Sequence, residues 1–243
     1  MAQMGCGYGS EYQLLRFLGH HRVLFEKEIC KQASLSGTFH WLDFDFASNA
    51  SSISGDAEIT GLGFLKTIPF IQNDSYKKII KNYKSYKIGK PSTWQYWDAI
   101  FTLDKTIYLV EAKAHVEEIP DPKPHGGKSQ KMILNYMKDM LPNLSISEKW
   151  LGEYYQMANR LATTAFLNKW GIKAKTMYIY FLNGFDKRII ERRRIKFIEN
   201  KDASKEDFKN AIKIEMNTLG LSHDSVKDLL MPPVFIDANP LKE

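Results

Sequence analysis

Apolar and polar positions along the chain change their period several times, and each change marks an element. From Ser10 the apolar residues Leu14, Leu18, Phe25 and Ile29 recur at helical intervals, and Ser10 with Gln13 has capping-box spacing. Thr38 to Phe46 alternates through Leu42, Phe44 and Phe46 and predicts a strand; residues 48–61, rich in Ser, Asn and Gly, predict a loop. Residues 75–90 interleave six lysines with tyrosines and Ile79-Ile80, which predicts a helix with a basic face. Two strands follow, Trp94 to Leu103 and Thr106 to His115, then a Pro/Gly/Lys loop over 119–131. A strong helix is expected from the Ser145/Glu148 capping signature. Leu151, Tyr154, Tyr155, Ala158, Leu161, Ala162 and Ala165 form its apolar stripe and Gly171 its C-terminal cap. Lys175 to Leu182 reads as a buried strand. The remainder reads as helical and polar, with a weak stripe of Phe208, Ala211, Ile212 and Leu219. The order α, β, β, β, α, β, then helices, predicts a mixed α/β (α+β) fold. A single domain is expected over 1–243, with a helical C-terminal extension from about 186 to 243.

The hairpin at 94–115 carries the chemistry. A two-residue turn at Asp104-Lys105 fixes the register. Leu103 then faces Thr106, Phe101 faces Tyr108 and Ala99 faces Val110. Extended back, the same register sets Asp98 opposite Glu111 and Tyr96 opposite Lys113, so that Asp98, Glu111 and Lys113 share one face. Directly paired residues have Cβ atoms about 4.5–5.5 Å apart, and like charges so placed repel. Two carboxylates in such a strand call for a cation. A hard divalent ion with oxygen ligands, Mg²⁺ with Mn²⁺ as substitute, suits them. Lys113 is long enough to reach a phosphate or an attacking water.

Tyr96-Trp97-Asp98 followed by Leu109-Val110-Glu111-Ala112-Lys113 resembles the catalytic hairpin of the PD-(D/E)XK nuclease superfamily, with Trp97 where that motif has proline. The resemblance implies a restriction endonuclease-like αβββαβ core, a mixed central sheet flanked by helices, and Mg²⁺-dependent hydrolysis of DNA phosphodiesters. It further implies that the Ala112 carbonyl joins Asp98 and Glu111 as a metal ligand. Glu11, on the inward stripe of the first helix, and Gln156, on the helix after the hairpin, are candidate site residues by the same resemblance. The motif as text also occurs at Asp121-Pro-Lys123, Glu199-Asn-Lys201 and Asp207-Phe-Lys209, but only Glu111-Ala-Lys113 has the hairpin beside it.

For nucleic acid, the candidates are His115, on the catalytic face by parity, Arg160, an i,i+4 neighbour of Gln156, and Arg192, Arg193 and Arg194 within the basic run from Lys187 to Lys196. Tyr76, Tyr83 and Tyr86 in the lysine-rich helix are available to stack on bases. The net charge of +6 and pI of about 9.1 fit such a partner, DNA first with RNA left open. Two nicks on opposite strands would favour a homodimer. No run approaches the roughly 18 apolar residues of a membrane helix. With no leader-like start and two cysteines, Cys6 and Cys30, the expected compartment is a reducing cytoplasm. Gly5 to Gly9 lacks the Lys-Ser/Thr of a phosphate loop. Two rival readings are a degenerate nuclease fold that binds nucleic acid without catalysis, and a structural or partner-binding protein with an incidental acidic pair.

Overall fold

The structure, a computed structural model, describes residues 9–42, 59–86, 95–120, 127–183, 185–190, 194–199 and 204–238. It is mixed α/β. Helix α1 (Gly9–His20) and helix α2 (Arg22–Ala33) come first, split at His21 where one periodic run suggests continuity. Ser10 lies inside α1 and does not cap it. Strand β1 (His40–Trp41) and strand β2 (Ile59–Thr60) precede helix α3 (Asn73–Ser85). The rest of the expected strand, residues 43–46, lies outside the described residues. Strands β3 (Tyr96–Trp97), β4 (Ala99–Leu103) and β5 (Thr106–Lys113) follow, then helices α4 (Gly127–Met140) and α5 (Tyr155–Lys169) and strand β6 (Ala174–Leu182). Strands β7 (Phe185–Ile190) and β8 (Arg194–Glu199), helices α6 (Lys205–Leu219) and α7 (His223–Val226), and strand β9 (Val234–Asp237) complete the order.

The main sheet runs β1-β4-β5-β6-β9. β1 and β5 are antiparallel to β4, while β6 is parallel to β5 and β9 parallel to β6. The Asp104-Lys105 turn forms as expected. Both residues have positive φ, 47° and 60°, as a hairpin turn matched to strand twist requires. The pairs Leu103–Thr106, Phe101–Tyr108 and Ala99–Val110 are all present.

Alternation then sorts the side chains. Phe101, Tyr108, Val110, Met177, Ile179 and Ile236 face Leu14, Phe17, Phe25 and Ile29 of α1 and α2. Ile100, Ile107, Leu109, Tyr178 and Tyr180 face a larger core that includes Leu161 of α5 and Phe208 of α6. Glu111 and Lys113, in step with Ile107 and Leu109, belong to this second face.

Several expectations are corrected. The C-terminal region is not simply helical: β7 and β8 pair as a separate ribbon, and β9 joins the main sheet beside β6. Helix α4 occupies residues expected to be loop or left unassigned. Its buried Ile133, Tyr136, Met137 and Met140 stand at i, i+3, i+4 and i+7, so the signal is in the sequence. The helix after the hairpin begins at Tyr155. Residues 148–151, behind the Ser145/Glu148 signature, form a short 3-10 turn, and the capping box is not used. Gly171, with φ of 81°, does follow the end of α5 as expected. Of the tyrosines available to stack on bases, Tyr83 is a core residue, and Tyr76 and Tyr86 are partly buried against the core. Tyr83 is buried, Tyr86 lies edge-on to Tyr136 with centroids 5.0 Å apart, and the Tyr76 ring carries the Lys66 ammonium at 5.2 Å.

Candidate active site

The expected strand Trp94–Leu103 breaks at Asp98, and the break builds the site. Gly61 N–H donates to the Gln95 carbonyl (2.6 Å), and the Trp97 indole N–H donates to the Gly61 carbonyl (3.0 Å). Gln95 also donates to Asn159 Oδ1 (2.8 Å) and to the Thr163 hydroxyl on α5. Residues 95–97 are thus held by β2 and α5. Tyr96 pairs with Thr60 and Trp97 with Ile59. The expected pairings of Asp98 with Glu111 and of Tyr96 with Lys113 do not form, and the β4–β5 ladder ends at Ala99–Val110.

Beyond that point the β5 edge is open, and carboxylates close it. Ala112 N–H donates to Asp98 Oδ2 (2.6 Å), and Ala114 N–H to Glu118 Oε2 (3.2 Å). Each acid substitutes for a missing strand carbonyl. Within a strand the N–H and C=O of one residue point to the same side. The Ala112 carbonyl therefore points to the open edge where Asp98 sits.

Glu111 is 3% exposed and clamped by two cations. Lys113 Nζ donates to Oε1 (3.0 Å). Arg160 donates to Oε2 through Nε (3.1 Å) and Nη2 (3.0 Å), and through Nη2 to the Tyr96 carbonyl (2.6 Å). The guanidinium lies over the Trp97 ring, 4.6 Å from its centroid. Burial pushes the Glu111 carboxyl up, but Lys113 and Arg160 beside it outweigh burial and hold it below its ordinary value. For Lys113, burial favours the neutral amine, yet Glu111, Asp98 and Glu118 together keep the ammonium charged and raise its pKa.

Two acids that the sequence reading passed over complete the surroundings. Glu118, half-buried at the end of the 3-10 turn Val116–Glu118, is pushed up by burial, against the pull of Lys113 and His115. Ser10 of α1 is near enough to offset a little of that rise, so the start of α1 lies by the site. Glu118 carries no pattern that singles it out. Glu215, on α6, is 2% exposed; burial pushes its carboxyl up to about 8, with Lys113 pulling it down and Glu111 pushing it further up. Its signal was available: Phe208, Ile212, Glu215 and Leu219 form one helical stripe, and an acid inside an apolar stripe is out of place.

Of the expected site residues, the fold brings Asp98, Glu111, Ala112 and Lys113 together. Arg160 joins them, but as a clamp on Glu111 and not as an exposed phosphate contact. His115 lies just past β5, with Nε2 3.9 Å from Glu118 Oε1. Glu11 is half-buried in the first turn of α1. Gln156 is half-buried in the first turn of α5. Arg194 opens β8, away from the clamp in sequence and sheet; Arg192 and Arg193 lie outside the described residues.

Among the described residues no three of His, Cys, Asp and Glu gather as a metal-binding group. Asp98 and the Ala112 carbonyl lie at the open edge of β5 and Glu111 stands one residue back on the same strand, and carboxylate and carbonyl oxygens are the donors that hard cations take. With Glu111 held by Lys113 and Arg160, a cation there would replace one of those bonds. No described helix is long and apolar enough to cross a membrane. Compared with protein-family models, with curated proteins and with solved structures, the chain matches none.

Proposed function

We propose that the chain is a metal-dependent nuclease of the PD-(D/E)XK type, hydrolysing phosphodiester bonds of DNA. One observation carries the reading: Asp98, Glu111, the Ala112 peptide and Lys113 converge where an antiparallel hairpin parts, beside a strand parallel to its second arm. The order α1, β1, β4, β5, α5, β6 supports the αβββαβ core that the motif implies.

Asp98, Glu111 and the Ala112 carbonyl would hold Mg²⁺ or Mn²⁺. When bound, such an ion would lower the pKa of a water and offset charge on the phosphoryl oxygens. Lys113 orients the attacking water or stabilises the developing negative charge, and the acids around it keep it protonated for that task. Arg160 fixes the Glu111 carboxylate and the Tyr96 backbone, so the two arms of the split hairpin keep their spacing. The net charge of +6 favours approach of a polyanion. Paired cuts would favour a dimer.

A second reading, a nucleic-acid-binding module without catalysis, is favoured by the closed Lys113–Glu111–Arg160 clamp, which is also what a structural ion network looks like. Incubation of purified protein with plasmid DNA, linear DNA and RNA, in Mg²⁺, Mn²⁺ or EDTA, separates the two. Cutting that needs the cation and disappears in a folded Lys113→Ala variant supports the nuclease. Retention of DNA by a protein that cuts nothing in either cation supports the binding module.

A further inference from the structure

The Lys113–Glu111 ion pair raises a question that the nuclease reading leaves open. If Glu111 turns an oxygen to a cation, the buried Lys113 ammonium needs another acceptor. An unpaired charge at 7% exposure is costly. The fold supplies one. Helix α6 packs on the site face of the sheet: Phe208 meets Tyr180, with ring centroids 5.0 Å apart, and Tyr180 is the cross-strand partner of Lys113. Glu215 is two turns further along the same stripe, among buried Ile212, Met216 and Leu219. Its ionised form is within electrostatic reach of Tyr178, the cross-strand partner of Glu111, and attracts Lys113 while repelling Glu111. Oε2 of Glu215 and the Tyr178 hydroxyl, both buried, have no hydrogen-bond partner among the described residues. A buried carboxyl oxygen left unmatched on an apolar helix face is costly and needs a reason.

We propose that Glu215 is a positioning residue of the site, the second acceptor for the Lys113 ammonium when Glu111 engages a cation. This rests on the nuclease reading. Lys113 moves from one carboxylate to another without leaving the buried pocket, and stays beside the reacting phosphate. Glu215 itself does not ligate the cation.

The experiment is a double-mutant cycle read by binding. Mn²⁺ is titrated calorimetrically into wild type, Glu215→Gln, Lys113→Ala and the double variant, and the metal-free melting temperature of each is recorded. Loss of a supporting partner of a ligand weakens metal binding about 10- to 100-fold, and Glu215→Gln is expected to do so. Its metal-free melting temperature is expected to be no lower than that of wild type at pH 7. In the Lys113→Ala background the same change is expected to leave the affinity unaltered, because no ammonium remains to be relocated. An equal loss in both backgrounds would make Glu215 a direct ligand and overturn the proposal. Unaltered Mn²⁺ affinity in Glu215→Gln, with wild type binding and cutting normally, would overturn it and leave the nuclease reading standing. A wild type that neither binds Mn²⁺ nor cuts would remove both.

Discussion

Oδ2 of Asp98 stands 2.6 Å from the amide nitrogen of Ala112, where a continuous ladder would place the carbonyl of residue 97. A carboxylate in that position does two things. It satisfies a buried backbone donor, and it brings a negative charge to the carbonyl edge of the same residue. Both depend on the break at Asp98, which sets the local electrostatics of the site.

The two tasks of Asp98 separate by mutation. Asp98→Asn keeps an oxygen acceptor for Ala112 N–H and removes the charge; it is expected to melt close to wild type and to lose cleavage at least 100-fold. Asp98→Ala leaves a buried N–H unmatched, at a cost of about 1–3 kcal/mol, and loses cleavage as well. Urea unfolding and plasmid nicking, run side by side, check both. Surviving cleavage in Asp98→Asn would remove Asp98 from the site.

Arg160 is expected to behave as part of the buried clamp. Its removal leaves Glu111 with one cation and takes away the Arg160 bond to the Tyr96 carbonyl. Arg160→Met, which keeps much of the volume, is expected to cost about 3–5 kcal/mol, as breaking a buried pair does. A lowered urea midpoint with an unchanged slope is the signature. A cost below about 0.5 kcal/mol would be that of an ordinary exposed residue and would overturn the burial of the pair.

Glu215 gives stability a defined pH dependence. Its folded pKa, raised to about 8 chiefly by burial, lies above the ordinary 4.5. Below about 4.5 the acid is protonated in both folded and unfolded chains, and its contribution is fully present. Between those limits the unfolded chain ionises first, so stability falls as pH rises, at up to about 1.4 kcal/mol per pH unit. Above about 8 the loss is complete. Glu215→Gln removes this component, so its stability relative to wild type is expected to grow from pH 5 to pH 8 in metal-free buffer. A difference that stays flat across that range would place the carboxyl in a more solvated setting.

The hairpin turn offers an independent check at the far end of β5. Lys105, with φ of 60°, holds a left-handed conformation that costs a side chain about 1–2 kcal/mol. Lys105→Gly relieves it against the greater entropy of glycine in the unfolded chain, for a net gain of up to about 1 kcal/mol. A rise in melting temperature of about 2–4 °C, with cleavage unchanged, is the expected result.

Much of this was legible in the chain itself. A two-residue turn is a local object, and once Asp104 and Lys105 close it, five ladder pairs follow by counting. The shared face of Glu111 and Lys113 follows from alternation alone. Helix α4 was equally local, its stripe at Ile133, Tyr136, Met137 and Met140 plain once the loop-like residues before it are set aside.

What the sequence by itself determined, then, is the mixed α/β order, the hairpin, its register as far as Ala99–Val110, and the acid-x-lysine on its second arm. These rest on contacts between near neighbours, where spacing fixes geometry. Tertiary structure alone decided the rest. Gln95 and Trp97 bind α5 and β2, 64 and 36 residues away for Asn159 and Gly61, and that pull breaks the strand at Asp98. Arg160 turns inward because Glu111 is buried against α5, and Glu215 comes to the site because α6 packs through Phe208 on Tyr180. A charged residue reads as solvent-facing until the fold removes its solvent, and only then do its partners become obligatory.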